Sequence, residues 1–334
     1  MGTLATFIKT AGRGAAGSRA LSRDQAQQAF AAMLDGNASA AEIGAFTMAM
    51  RMKGESVDEL AGFLDATQAR CRRIAASSPV VVLPSCNGAR RLPHLTPLLA
   101  LLLAREGVNV LVHSPRPNAD EESRRLTTPA LLAALGLSEA ESEAAVLRCW
   151  ARCEPAFVST AWLCPPLQTL LDLRWQIGVR GPAHTVAKML APVAGVPALR
   201  VVNHTHPEFG ALMRSWAERD GVDALLLRGL EGEPVADPRR QGELVLLLGG
   251  RAVADLTVAA EDAVPGAGLE LPLLESAAGP DPQPSARWTR DVLAGHRPLP
   301  RPMARQVQAL AAAVTRLRTT MPAASGTGRS LQTA

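Results

Sequence analysis

Thirty-two of the 35 cationic residues are arginines; lysine occurs only at Lys9, Lys53 and Lys188. Arginine presents a planar fork that matches two oxygens of a phosphate. A GC-rich coding sequence would favour arginine and alanine as well, so position matters more than the ratio. Arg90 and Arg91 follow a short apolar run, Arg174 and Arg180 lie close together with Lys188 beyond them, and Arg301 and Arg305 share a helix face at i and i+4. These seven are the candidate phosphate contacts. Each has a plainer account: a solvated loop pair for Arg90 and Arg91, an ion pair with Asp172 or another carboxylate for Arg174 and Arg180, a helix-end surface residue for Lys188, and a basic surface helix for Arg301 and Arg305. Arg124 and Arg125 follow Asp120-Glu-Glu122, so local pairing is expected there.

Other reactive types are less suggestive. His204 and His206 have the spacing of two ligands on one side of a strand, without a nearby acid or cysteine cluster. Cys149 and Cys153 sit one helical turn apart but lack two further ligands at zinc spacing, and read as structural thiols. His184 either binds or packs.

The elements that must carry these residues change character along the chain. Its 334 residues suffice for two domains. Leu4, Phe7, Ile8 and Ala11 share a helical face. Ser22-Arg-Asp-Gln25, Ser39-Ala-Ala-Glu42 and Ser56-Val-Asp-Glu59 are capping boxes that open three further helices. Beyond residue 76, strand and helix alternate: strands at Pro79–Leu83, Val108–His113, Val201–Val202, Ala224–Leu227 and Glu243–Leu248, helices at Leu95–Arg105, Pro129–Leu135 and Gly210–Glu218. That alternation predicts a mostly parallel sheet with covering helices. Leu167 to Lys188 is again helical, broken at Gly178 and Gly181-Pro182. From about Pro322 the tail is small and polar, and disorder is expected. The predicted division is a helical domain of residues 1–76 and 164–190, an α/β domain of 77–163 and 191–320, and a disordered tail of 321–334.

Composition narrows the function classes. Aromatic content is 3% with no Tyr, which argues against base-stacking platforms. The segment 285–334 carries eight arginines against Asp291 alone, and 229–282 is acidic. Such asymmetry is expected of a polyanion-binding face, or of chance segregation. Five cysteines, an odd number, the lack of a signal peptide and the lack of an apolar run of ~18 residues point to a reducing cytoplasm and no membrane.

Several stretches resemble the anthranilate phosphoribosyltransferase superfamily: Ala49-Met-Arg-Met-Lys-Gly-Glu55, Arg174-Trp-Gln-Ile-Gly-Val-Arg180 and Ala187-Lys-Met-Leu-Ala-Pro192, in the family's order over roughly residues 3–318. The resemblance implies a small all-helical domain and a larger α/β domain with a mostly parallel central sheet. It also implies a phosphate loop after the first strand and an adjacent Asp-Glu pair for magnesium. Both depart from the family. The Gly-Thr-Gly-Gly-Asp loop reads Pro84-Ser-Cys-Asn-Gly-Ala-Arg-Arg91, keeping only Gly88; the Lys-His-Gly-Asn-Arg run reads Val112-His-Ser-Pro-Arg116; the metal segment reads Arg228-Gly-Leu-Glu-Gly-Glu233. Ser85, Asn87 and Gly88 are then a vestigial phosphate loop, and Glu231 and Glu233 vestigial metal positions. Pro84-Ser-x-Asn-Gly-Ala-Arg90, Cys164-Pro-Pro166, Arg174-Trp-x-x-Gly-Val-Arg180, Ala183-His-Thr-x-Ala-Lys188, His206-Pro-Glu-Phe209 and Glu231-Gly-Glu233 together are similar to one branch, the YbiB-type DNA-binding proteins. That likeness implies a homodimer formed through the helical domain, without transferase activity, cofactor or bound metal, that binds DNA, or RNA, with little sequence preference. The rivals are a Mg-dependent phosphoribosyltransferase using Glu231, Glu233 and a divergent loop, and a scaffold for protein partners.

Overall fold

The computed structural model describes residues 2–14, 16–122, 124–261, 271–272, 275–276 and 279–321. The predicted disorder beyond Met321 lies outside the described residues. Four helices open the chain: α1 (Ala5–Ala11), α2 (Arg23–Leu34), α3 (Ala40–Lys53) and α4 (Val57–Gln68). Ser22, Ser39 and Ser56 cap the last three as their spacing predicts, each hydroxyl accepting a first-turn N–H while Gln25, Glu42 or Glu59 accepts the cap's own N–H. Two of these carboxylates also act at long range. Glu42 accepts from the Leu4 N–H at 2.8 Å and so fixes α1. Glu59 is fully buried and accepts from the Leu21 N–H at 2.8 Å and from Lys53 Nζ at 2.6 Å.

Phe30, Phe46 and Phe63 fill the bundle, the Phe30 and Phe63 rings 4.9 Å apart. The α2 and α4 backbones meet at Gly62, where a Cβ would stand 2.2 Å from the Arg23 carbonyl oxygen and 2.8 Å from the Gln27 nitrogen. Backbone cannot yield as a flexible side chain does, so Gly62→Ala is expected to lower unfolding free energy by about 3 kcal/mol; urea titration measures it, and a loss below ~0.5 kcal/mol would mean the helices separate freely.

The larger part is a seven-stranded sheet in the order β4-β3-β2-β6-β7-β8-β9. Its strands are β2 (Val80–Pro84), β3 (Asn109–Ser114), β4 (Ala156–Ser159), β6 (Ala198–His204), β7 (Ala224–Arg228), β8 (Leu244–Leu248) and β9 (Arg251–Ala252); β1 (Ile74–Ala75) pairs separately with β5 (Val193–Ala194). Pairing is parallel from β4 to β7 and antiparallel at β8 and β9. Strand β2 is buried on both faces: Val81 and Leu83 pack with α5 (Thr96–Arg105) and the late helices α14 (Pro282–Leu293) and α15 (Arg301–Thr320), while Val80 and Val82 face the opposite layer. That two-sided burial is what a parallel sheet demands.

Between the early strands lie α6 (Ala119–Glu122), α7 (Thr128–Ala134), α8 (Glu143–Ala151) and α9 (Thr160–Leu163). The sequence reading did not assign α8 or β4; β4 has four residues and no alternation to betray it. The chain then returns to the bundle as α10 (Pro165–Asp172), α11 (Arg174–Ile177) and α12 (Pro182–Ala187), whose Leu167, Leu171 and Val186 share the core of Phe30 and Phe63. Helix α13 (Pro207–Arg219) follows β6, its Trp216 packed in that same core. Among the described residues no helix is long and apolar enough to cross a membrane.

Strand order grows from β2 through β3 to β4 on one side and from β6 to β7 on the other. Loops leaving the carboxyl ends of β2 and β6 therefore diverge, opening a crevice of the kind where doubly wound sheets bind ligands. Ser85 follows β2, Asn203 lies at the end of β6, and α11 and α12 bring Arg174, Arg180 and Lys188 to the same place.

Candidate functional site

The loop after β2 turns at Gly88, where φ is +65° and a Cβ would lie 2.8 Å from the Leu126 carbonyl oxygen. Ala89 exchanges both backbone hydrogen bonds with Leu126 at 2.8 Å. Pinned in this way, the loop aims successive N–H groups at one side, a nest for an anion. The chain fills that nest itself.

Glu233 is 2% exposed. One carboxylate oxygen accepts from the Asn87 and Gly88 N–H groups at 2.7 and 3.0 Å. The other accepts from the hydroxyls of Ser85 and, at 3.0 Å, Thr96. Glu231 accepts from the N–H groups of Arg90 at 2.7 Å, Arg91 at 3.1 Å and Leu92 at 3.3 Å. Charge-assisted bonds of this kind are the strong ones. The two segments interlock: Glu231 sits at φ +50°, and a Cβ on Gly232 would fall 1.9 Å from Asn87 Nδ2. Ser85, Asn87 and Gly88 thus hold a carboxylate at the loop that the resemblance led one to expect as a phosphate site.

Glu231 and Glu233, expected as vestigial metal positions, serve here as anchors of this loop. Their oxygens are taken by the loop's donors, and among the described residues no group of three or more His, Cys, Asp or Glu is placed to hold a metal. As arranged, they do not fit the magnesium that the fold implies. Opening the outer nest should restore anion affinity. With Glu231→Ala, pyrophosphate is expected to raise the melting temperature by a few degrees more than it raises that of the unaltered protein, about 1 kcal/mol of added linkage; equal response of both would mean the nest is not where pyrophosphate binds.

Beside the loop the crevice is cationic. Arg180 Nη1 donates to Asn87 Oδ1 at 2.5 Å, Arg125 Nη1 to the Asn87 carbonyl at 3.3 Å, and Lys188 Nζ to Asn203 Oδ1 at 3.1 Å. Arg174 pairs with Glu121 at 3.4 Å and lies over the Trp175 ring. Glu121 is therefore the carboxylate partner of Arg174, while Asp172 accepts from Gln168. Burial, then the like charges of Arg174 and Arg125, hold the Arg180 pKa below its ordinary value; burial lowers that of Lys188 too. Burial also pushes the Cys86 thiol up to about 12 and His184 down to about 3, so both are neutral near pH 7. The Asn203 side chain is fully buried with no partner for its Nδ2 among the described residues. Excess positive charge and an unused amide donor suit an incoming anion.

Arg90 and Arg91 are exposed at the mouth, and their side chains pair with no described residue. Arg301 and Arg305 differ. Both reach Glu261, Arg301 at 3.6 Å, from the start of α15. Charge counted along the sequence misleads here, because Arg297 meets Asp291 and Arg316 meets Asp255 as well. Arg125, expected to pair locally, instead reaches the loop at the Asn87 carbonyl. Asn203 went unread; a buried asparagine at a parallel strand's carboxyl end was the available signal.

Residues 5–71 match the family model described as "Glycosyl transferase family, helical bundle domain". The anthranilate phosphoribosyltransferase of Thermus thermophilus superposes with a TM-score of 0.68 at 23% identity, over 95% of this chain and 90% of that one. The fold is that of the anthranilate phosphoribosyltransferases. The anthranilate phosphoribosyltransferase of Methylocella silvestris is 27% identical over 83% of this chain and 77% of its own. The uncharacterized protein YbiB of Escherichia coli is 35% identical over 88% of this chain and 89% of its own. The chain belongs to the family of YbiB.

Proposed function

We propose that this protein binds nucleic acid, DNA or RNA, without sequence readout, on a phosphoribosyltransferase fold that no longer transfers. One observation carries the reading: Glu231 and Glu233 occupy the donors that would hold a pyrophosphate, while Arg90 and Arg91 stand unpaired at the same mouth. Phosphate contact moves from backbone to side chain, and Arg180 and Lys188 extend the positive surface inward. A homodimer through the helical bundle would lengthen that surface; Met48 and Met52, one turn apart on α3 and 40% and 80% exposed, supply apolar area for it. Affinity would come from counterion release and fall steeply with salt.

A Mg-dependent phosphoribosyltransferase is the second reading, favoured by the similarity to anthranilate phosphoribosyltransferases over most of the chain. It requires both glutamates to leave the loop. Fluorescence anisotropy of labelled single- and double-stranded DNA across a salt series, with phosphoribosyl pyrophosphate plus Mg²⁺ as competitor, separates the two. Binding to unrelated sequences with a steep salt slope and no competition supports the proposal. Absence of DNA binding, with the small phosphate bound instead, overturns it.

A further inference from the structure

A second cavity, of about 450 Å³, opens beyond Glu231 at the carboxyl end of β7, where β8 returns antiparallel. Its size is typical of a small-molecule site. We propose that it binds a phosphate monoester carrying a flat ring and a hydrogen-bond donor, as a nucleoside monophosphate does. The site is distinct from the crevice, because its lining includes none of Arg90, Arg91, Arg125, Arg174, Arg180 or Lys188, and it does not depend on the nucleic-acid reading.

Three arginines supply the phosphate end. Arg228, the last residue of β7, is exposed and its side chain has no partner among the described residues. Arg239 and Arg240 converge on Asp237, Arg239 through bonds of 2.9 and 2.8 Å and Arg240 at 3.4 Å. Asp237 thereby orients both forks, and each retains N–H groups for a second anion. Leu92, Leu230 and Leu244 form an apolar wall.

Gln241 decides the ligand class. It lines the cavity, is 2% exposed, and its Nε2 donates to the Gly242 carbonyl at 2.7 Å. That bond fixes which way the amide faces, since a flipped amide would set oxygen against oxygen. Its Oε1 is left buried with no partner among the described residues. A buried acceptor without a donor is unfavourable. Ionised phosphate cannot supply the donor; a ribose hydroxyl or an exocyclic amine can. A ligand with an anionic end, an apolar face and an N–H or O–H satisfies all three features.

The test is calorimetry on the full chain with AMP, adenosine and inorganic phosphate. AMP is expected to bind more tightly than either fragment. Arg228→Ala should weaken AMP at least about tenfold. Gln241→Leu, which removes an unpaired acceptor and should leave the fold intact, should weaken AMP while inorganic phosphate is unchanged. A 5′-phosphorylated dinucleotide that binds better than AMP, with no binding of its 5′-hydroxyl counterpart, would assign the site to strand ends; AMP binding better would assign it to free nucleotides. No AMP binding at about 1 mM, or AMP affinity unaltered in both variants, overturns the proposal.

Discussion

Glu233→Ala is expected to lower unfolding free energy by about 3–5 kcal/mol, near the top of the range for a single substitution. The carboxylate is 2% exposed and serves four donors from two segments: Ser85 and the Asn87 and Gly88 N–H groups of the loop, and Thr96 at the start of α5. The donors differ in what they can do without it. The Ser85 hydroxyl lies 2.5 Å from that of Thr128 and can turn to it. The two N–H groups are fixed by a loop tied to Leu126 and find no other acceptor, each at about 1–3 kcal/mol. The vacated space adds a cavity term. Glu233→Gln should cost only about 1 kcal/mol. Its carbonyl oxygen can keep the backbone pair, and its amide can donate to the two hydroxyls once they reverse. Urea unfolding of both variants checks the contrast. A pair of small, equal losses would mean the loop holds its shape without the carboxylate.

That dependence explains which parts of the molecule could be read in advance. Ser22, Ser39 and Ser56 announced three helices because a capping box is closed within four residues. The spacing of Glu231 and Glu233 showed that an adjacent acidic pair was gone, but gave no sign of where the carboxylates went. Their partners lie about 140 residues earlier in the chain. The same limit applies to charge. The arginines of α15 look like a basic tail when counted in order, yet Asp255 and Glu261 reach them from a segment that sequence counting had set aside as acidic. Strand β4 was missed for a different reason. Four buried residues, followed by an uncharged stretch, carry no periodicity.

Arg90 and Arg91 are where the functional reading is most exposed to failure. The double substitution to Ala should weaken DNA binding about 10- to 100-fold at low salt and reduce the slope of log affinity against log salt by about 1.4–1.8, close to one phosphate for each arginine removed. The loss should be the same for unrelated sequences, because a phosphate contact reads no base. Folding should be unaffected, since the loop is held by the N–H groups of these residues and not by their side chains. Arg301→Ala with Arg305→Ala is the matched control. It removes the same formal charge from residues that already share Glu261, so the slope should fall by less. If the two double variants lower the slope equally, binding follows total charge and the loop has no special part in it. If Arg90 and Arg91 can be removed with no change in slope, the mouth of the old substrate crevice is not where nucleic acid lies.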